Sequence, residues 1–487
     1  MKNQVFNPYL PSWEYIPDGE PRVFGNRVYI YGSHDKFNGK GYCENDYVSW
    51  SAPVDDLSAW RYEGVIFRKD QTPWNTKNES YYAPDVVCGL DNRYYLYYFV
   101  VNSSIISVAV CDEPAGKYQY LGDVRTKDGR VYGSEAQDWF TFDPAVLVDN
   151  GRIWLYAGSS QPSNGKCGHE VKGCFVAELD RDMLTMKTEP KVVLPADWDY
   201  KKPNFFEGAS ARHIGEWYYL VYPATNMTGL NYAMSRYPDR DFVHKGAIHS
   251  SSDIGLNGRT MAKAAYPFGN SHGGLAEING QWYIFDHRMS NGSPNCRQAV
   301  AEKIHIKEDG MIDMVESTSC GLNEGYLNGI GTYPAYIACH LTGKGIMGFQ
   351  NPMAGPRVTQ DGEDYTPQES AEKEMTQDTI TDAPQSYITK IKKECQIGYK
   401  YFDLSQTSRI DVTVRGKAGK FSILSGEDGD EIACISIEAC DEWSTYGTTF
   451  DPQKIKVKEN GGTKRGYPIY LLYQGKGSID LLEIKLS

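Results

Sequence analysis

No run in this chain approaches the roughly 18 continuous apolar residues that a membrane-spanning helix needs, which excludes a helical span. Positive charge is in deficit: 50 Lys and Arg stand against 63 Asp and Glu, for a net charge of -13. Such a surface repels nucleic acid and anionic membrane, so neither is expected as a partner. The 11 cysteines form no CxxC and no repeated spacing. The opening, MKNQVFNPYLPSWEY, lacks the basic start and apolar stretch of a secretory signal. Unpatterned thiols without an export signal lead to the expectation of reduced cysteines and a cytoplasmic protein. No long stretch carries helical periodicity, and 487 residues are too many for one small domain.

Aromatics are abundant, with 36 Tyr, 17 Phe and 10 Trp. They suit sugar-binding faces and ordinary β-sheet cores alike, so their arrangement matters more than their number. The stretch from Thr141 to Ser159, TFDPAVLVDNGRIWLYAGS, sets the pattern. An Asp-Pro pair opens it, a short apolar strand follows, and an Asn-Gly turn leads into an aromatic strand. The aromatic strand recurs, beginning at Val28, Tyr94, Ile153, Trp217 and Trp282, at spacings of 66, 59, 64 and 65 residues. Each copy follows a short polar turn. Five near-equal units of antiparallel strands predict radial repetition around an axis, an all-β five-bladed propeller. A β-sandwich with coincidental spacing is the competing reading.

Ten positions ahead of four of these strands stand Asp18, Asp143, Glu207 and His272. Inner strands of a propeller meet at its axis, so residues in one register should meet there too. Three carboxylates and a histidine gathered in one cavity would raise one another's pKa and cost stability unless chemistry uses them. Glycoside cleavage needs such a set: one carboxylic acid protonates the leaving oxygen, and one carboxylate activates water or attacks the anomeric carbon. Asp85 stands nine positions ahead of its strand, an offset that turns a side chain to the other face, and reads as a wall or structural residue. Taken singly, each acid also reads as a turn former.

After about residue 320 the repeat stops. A polar stretch from Gly355 to Pro384 reads as a loop or excursion, and short alternating strands return from Tyr387. They predict a separate, jelly-roll-like β-sandwich. The expected division is a propeller over residues 1–325 and a sandwich over 330–487.

Several motifs together resemble glycoside hydrolase family 43 over roughly residues 1–320. They are Asn7 to Pro11 with Pro17-Asp18-Gly19, then Tyr82-Ala83-Pro84-Asp85 and Phe142-Asp143-Pro144, then Phe206-Glu207-Gly208 and Ser271-His272-Gly273. The resemblance implies an inverting mechanism with Asp18 as general base, Asp143 as pKa modulator and Glu207 as general acid, and no cofactor for the chemistry. It also implies that His272 lies near a calcium ion or water cluster at the axis and that Arg288 contacts the sugar. The family's base motif opens Asp-Pro, whereas here it runs Asp18-Gly19-Glu20-Pro21. Residues 330–487 resemble a family 6 carbohydrate-binding module through Gly398 to Asp403, Asp441 to Trp443 and Ile479 to Lys485. Strand ends should return toward the axial mouth, which would bring Ser33, His34, Asp35 and Arg288 near an oligosaccharide substrate. Trp74, Tyr81 and Trp139 would be stacking faces. For His34 and Trp74 a solvent-facing role competes evenly. The expected activity is an exo-glycosidase releasing terminal xylose or arabinofuranose. An endo-arabinanase and a catalytically silent sugar-binding propeller remain as alternatives, and a retaining fructosyl hydrolase fits less well because Phe142 and Gly208 replace its expected Arg and Cys.

Overall fold

The computed structural model of the chain describes residues 4–163, 168–226, 228–344, 355–368, 375–377, 379–459 and 465–487. Five antiparallel sheets succeed one another, one per repeat. The first blade holds β1 (Glu20–Phe24), β2 (Arg27–Tyr31), β3 (Tyr47–Pro53) and β4 (Arg61–Phe67). The second holds β5 (Tyr81–Cys88), β6 (Tyr94–Val100), β7 (Ile106–Cys111) and β8 (Gln119–Asp123). The third holds β9 (Ala145–Asp149), β10 (Arg152–Ser159), β11 (Gly173–Leu179) and β12 (Lys191–Pro195). The fourth holds β13 (Ser210–Ile214), β14 (Trp217–Pro223), β15 (Leu230–Ser235) and β16 (Val243–His249). The fifth is three-stranded among the described residues, with β17 (Leu275–Ile278), β18 (Gln281–Ser290) and β19 (Ser293–Ile304).

The aromatic second strands are explained by where their two faces go. In β6, Tyr95 and Tyr97 enter the core shared with Val146, Ile153 and Leu155 of the third blade. Leu96 and Tyr98 enter the core shared with Tyr29, Tyr31 and Ile66 of the first. A blade strand is therefore buried on both faces, and each interblade core receives alternate residues. The turns between first and second strands match their two-residue signatures. Asn150 and Gly151 have φ of 50° and 73°, and Asn279 and Gly280 have 50° and 80°, the left-handed values of a primed hairpin turn. The ring closes where β1 lies beside β17. The amino-terminal segment seals that join: Tyr9 N–H donates to Ala299 O (3.3 Å), and Asn7 exchanges two side-chain bonds with the Ala301 backbone (3.0 Å each).

Beyond the propeller, two further sheets face each other. One is built on Gln396–Asp403, Arg465–Gly475, Gly419–Leu424 and Glu431–Ile437, and the other on Ser386–Ile391, Ile479–Leu486, Arg409–Gly416 and Cys440–Thr449. Ile397, Phe421 and Leu471 of the first meet Ile410, Val412 and Ile484 of the second in one buried core. Trp443 is outside it, half-buried between Tyr387 and the Arg415 guanidinium. Part of the Gly355 to Pro384 stretch does run as an excursion, back across the first blade. Asp364 accepts from Phe37 N–H (2.7 Å) and Asn45 (3.0 Å), Tyr365 packs on Trp13, and Met375 O accepts from Tyr62 N–H (2.8 Å).

Candidate active site

β1, β9, β13 and β17 are innermost, and the four register residues stand two or three positions ahead of them, on loops entering the same end of the axis. His272 Nδ1 lies 3.9 Å from an Asp18 carboxylate oxygen and 3.8 Å from one of Asp143. Glu207 is near enough for its charge to raise Asp143. The backbone makes room for this convergence at a cost. Asp18 (φ 57°) and Asp143 (φ 41°) adopt left-handed conformations, each worth about 1–3 kcal/mol of strain, which is tolerated mainly where function requires it. Beside Glu207, Gly208 (φ 57°) is obligatory for a second reason: a Cβ there would come within 2.9 Å of the His272 ring.

The carboxyl groups differ because their neighbours differ. Burial pushes Asp18 up, but Arg297 foremost, then His287, His272 and the Ser33 hydroxyl, bring it below the ordinary aspartate range. Arg297 Nη1 donates to Asp18 Oδ1 at 3.1 Å, and the Asp18 N–H donates to His287 Nδ1 at 3.1 Å. Glu207 has no paired cation among the described residues: burial and then the Asp18 charge raise it to about 8, against a lesser pull from Arg297. Asp143 is raised well above its usual range by burial and by the charges of Glu207 and Asp18. Its Oδ1 is buried and has no hydrogen-bond partner among the described residues. One group thus stays ionised beside two that favour a proton, the division that acid–base chemistry requires. His272, lowered by burial, is neutral at pH 7.

Arg297 is the residue the sequence reading missed. It grips Asp35 through Nε (2.7 Å) and Nη2 (2.9 Å) while reaching Asp18 with Nη1, and all three are buried. No repeat signature marks it, because it sits on β19, a third strand. The aromatic walls were missed as well. Tyr42 lies over the Arg297 guanidinium at 5.0 Å, and Tyr82 packs against Tyr42 and Phe142. Both tyrosines sense the site's charges, and burial foremost raises Tyr42 to about 12.

Several expected substrate contacts lie elsewhere. Arg288 stands opposite Gln298 on the β18–β19 ladder, whereas Arg297 stands opposite Met289, one residue on. That offset puts the two arginines on opposite faces. Arg288 donates to Ala338 O (2.8 Å) and Tyr336 O (2.6 Å), so it binds the link into the sandwich instead of a sugar. His34 is buried between Asp46 O (2.7 Å) and Glu14 (3.0 Å). Asp35 is 0% exposed and is taken up by Arg297 and the Cys43 N–H, so it positions and does not contact. Ser33 is close to Asp18 and accepts from the Ala83 N–H (2.8 Å). Tyr81 is 1% exposed in the core between blades one and two, bonded to Lys69 O (2.7 Å). Trp74 donates to Asp123 (3.1 Å) at the end of outermost β8, which places it at the blade rim. Trp139 is engaged by Phe175 and Lys172 in the third blade. Asp85 is structural: Arg22 holds it at 2.7 Å, and it accepts from the Val146 N–H (2.8 Å).

Beneath the carboxyl cluster, the axis carries its own cations. Arg212 and Arg22 bind Glu20 (2.5 and 3.4 Å), and Glu20 in turn acts on His272. A calcium ion takes 6–8 oxygen ligands. Here Glu20, the axial acid below His272, is already paired with two guanidiniums, and among the described residues no three His, Cys, Asp or Glu side chains are grouped to hold a metal. The residues therefore do not fit the calcium expected beside His272. A Ser317–His249–Asp286 chain (3.1 and 2.9 Å) has triad-like spacing, but all three are buried and Ser317 donates to Ser250 O, so it acts as a stitch.

Comparison with known proteins agrees with this architecture. Residues 17–312 match the family model described as glycosyl hydrolases family 43. A xylosidase/arabinosidase of Thermoclostridium stercorarium is 42% identical, with the alignment spanning 100% of this chain and 99% of the relative. A xylosidase/arabinosidase of Bacteroides ovatus is 26% identical over 63% of this chain and 97% of its own. Among solved structures, a family 43 arabinoxylan arabinofuranohydrolase from Bacillus subtilis aligns with TM-score 0.50 and 17% identity, covering 98% of this chain and 96% of its own. A GH43_1 enzyme from Xanthomonas citri aligns with TM-score 0.51 and 22% identity over 64% and 94%. At those identities the structural matches bear on fold alone.

Proposed function

The chain belongs to glycoside hydrolase family 43, and from that premise we propose that it is an inverting, exo-acting glycosidase. It would release terminal xylose or arabinofuranose from hemicellulose oligosaccharides. The full-length relative named for both sugars supports that substrate class. Asp18 is the base: its carboxylate takes a proton from a water whose oxygen bonds to the anomeric carbon. Glu207 is the acid: its proton passes to the glycosidic oxygen as the bond to the anomeric carbon breaks. Asp143 helps keep that proton on Glu207 until it is needed, and Arg297 positions Asp18 and keeps it ionised. The observation that carries this reading is the split within one buried cluster, Asp18 held down by Arg297 and Glu207 raised to about 8.

The direct test is to incubate the enzyme with an aryl β-xyloside and an aryl α-arabinofuranoside and follow the first-formed sugar by proton NMR. Inversion gives α-xylose from the β-xyloside before mutarotation. First-formed β-xylose would overturn the inverting assignment, and release of neither sugar would overturn the activity.

A further inference from the structure

A cavity of about 360 Å³ opens at the seam between the loop joining β16 to β17 and the sheet built on Gln396–Asp403. Arg259, Lys263 and Tyr266 line it from the propeller, and His340, Gln396 and Glu427 line it from the sandwich. Two of these side chains are buried yet unsatisfied. Tyr266 is 1% exposed and His340 2% exposed. Among the described residues, neither the Tyr266 hydroxyl nor His340 Nδ1 has a hydrogen-bond partner. His340 Nδ1 lies 4.0 Å from Glu427 Oε1. That gap is too wide for a direct bond and suits a hydroxyl placed between them. A buried polar group left unmatched costs about 1–3 kcal/mol, which a ligand supplying the partner recovers.

The lining also defines the ligand's charge. Arg259 is consumed by a two-pronged pair with Glu427 (2.8 and 2.7 Å), so it does not offer an anion site. Glu394 and Asp428 line the same cavity as Lys263, so its formal charges include both signs. No three acidic, histidine or cysteine groups are clustered for a metal among the described residues. Burial lowers His340 to about 4, so its ring is neutral at pH 7; Nε2 meets the Thr342 hydroxyl (3.3 Å), which leaves Nδ1 to face a ligand. Gln396 donates to Glu427 O (2.7 Å) and keeps its carbonyl as an acceptor. Met261, Ala262 and Leu472 add apolar edges. Paired donors and acceptors, charges of both signs and apolar patches match a neutral polyol.

We infer that this seam cavity is a second carbohydrate site, sized for about one or two pentose residues. It depends on the reading above only for the identity of the sugar. A chain bound there would be tethered to the enzyme and raise the local concentration of ends at the active site.

The test is isothermal titration of the full-length chain carrying Asp18→Asn, so that xylotriose is not consumed, with xylose and L-arabinose as separate arms. Two xylotriose sites are expected. Ala262→Trp, which fills the cavity, and Gln396→Ala, which removes the carbonyl, should each weaken only one of them, by at least about tenfold, or ~1.4 kcal/mol. Binding of xylotriose alone at that site identifies a chain as its ligand, and binding of the monosaccharides identifies free product; both support the site. A single xylotriose site, or two sites untouched by both substitutions, would overturn it. Aryl xyloside assays on the unaltered chain separate the two ideas. A chain that cleaves no pentoside yet loses a site on filling the cavity would refute the activity and leave the seam site standing.

Discussion

At Asp18, the burial that would protonate a carboxyl is overruled by a guanidinium at 3.1 Å, whereas at Glu207 burial prevails. The two residues should therefore fail differently when neutralised. An aryl leaving group such as nitrophenolate departs without a proton, but a sugar alkoxide does not. Glu207→Gln should lose about 10²- to 10⁴-fold on xylo- or arabino-oligosaccharides and much less on activated aryl glycosides, while Asp18→Asn should lose on both. Equal losses for Glu207→Gln on both substrate types would remove it as the acid. The same contrast sets the pH profile of kcat/KM. The acid must hold its proton, so activity should fall as pH rises through about 8. The base must be ionised, so activity should fall at low pH, through a value below the ordinary aspartate range. Asp143 and Glu207 repel once both are ionised, so Asp143→Asn should let Glu207 release its proton more readily and move the alkaline limb down. Arg297→Met should move the acid limb up, because the main influence holding Asp18 ionised is gone, and Arg297→Lys should restore part of that shift. An Arg297→Met profile with an unmoved acid limb would show that the guanidinium serves the fold alone.

At the scale of strands and turns, the loop from Phe206 to Ser210 shows how closely the site depends on backbone. Gly208 has φ 57°, and an added Cβ would meet the His272 ring at 2.9 Å. Gly208→Ala should therefore cost about 1–3 kcal/mol of stability through strain. It should also depress kcat on oligosaccharides more than on activated aryl glycosides, since the acid sits next door. Thermal melting and the two-substrate comparison would check both halves, and unchanged melting would show that the loop relaxes freely. The same scale explains what could be read in the sequence. The blades were legible because each is a local unit whose turn residues and alternating aromatics recur. The meeting of Asp18, Asp143, Glu207 and His272 was legible because they share one register of that unit. Asp85, one residue off, does turn away to Arg22. Arg297 was not legible, since a third strand carries no such landmark. Choosing Arg288 failed by the one-residue parity that separates the two faces of β18 and β19. Tyr81 and Trp74 were misplaced because an aromatic beside a blade is equally at home in an interblade core, and composition does not distinguish core from mouth.

Across the whole molecule, the two β units are joined by contacts between residues far apart in sequence, which no repeat or local pattern announces. Lys400, on the strand Gln396–Asp403, is 5% exposed. Its Nζ lies 2.9 Å from Asp253 and 3.5 Å from Glu316 on the propeller side. Nearby, Arg259 pairs with Glu427 at 2.7 Å, but that pair is partly exposed. Burial decides which of them matters. Removing the buried ammonium strips Asp253 of its paired cation in a low-dielectric seam and leaves Glu316 to Lys458, at a cost of about 3–5 kcal/mol, whereas an exposed pair is worth about 0–1 kcal/mol. Lys400→Met should thus lower the melting temperature far more than Arg259→Ala. Adding Asp253→Asn to Lys400→Met should recover part of the loss, because the stranded charge goes with it. The seam also predicts that the units will not melt separately. The excursion through Asp364, Tyr365 and Met375 covers Trp13 and Tyr62 of the first blade, so unfolding the sandwich uncovers propeller core. Calorimetry should show one cooperative transition, and a chain cut before Ile330 should aggregate or lose most of its activity on short substrates. Two resolved transitions, or a soluble and fully active propeller, would mean that the sandwich rests on the catalytic unit without supporting it.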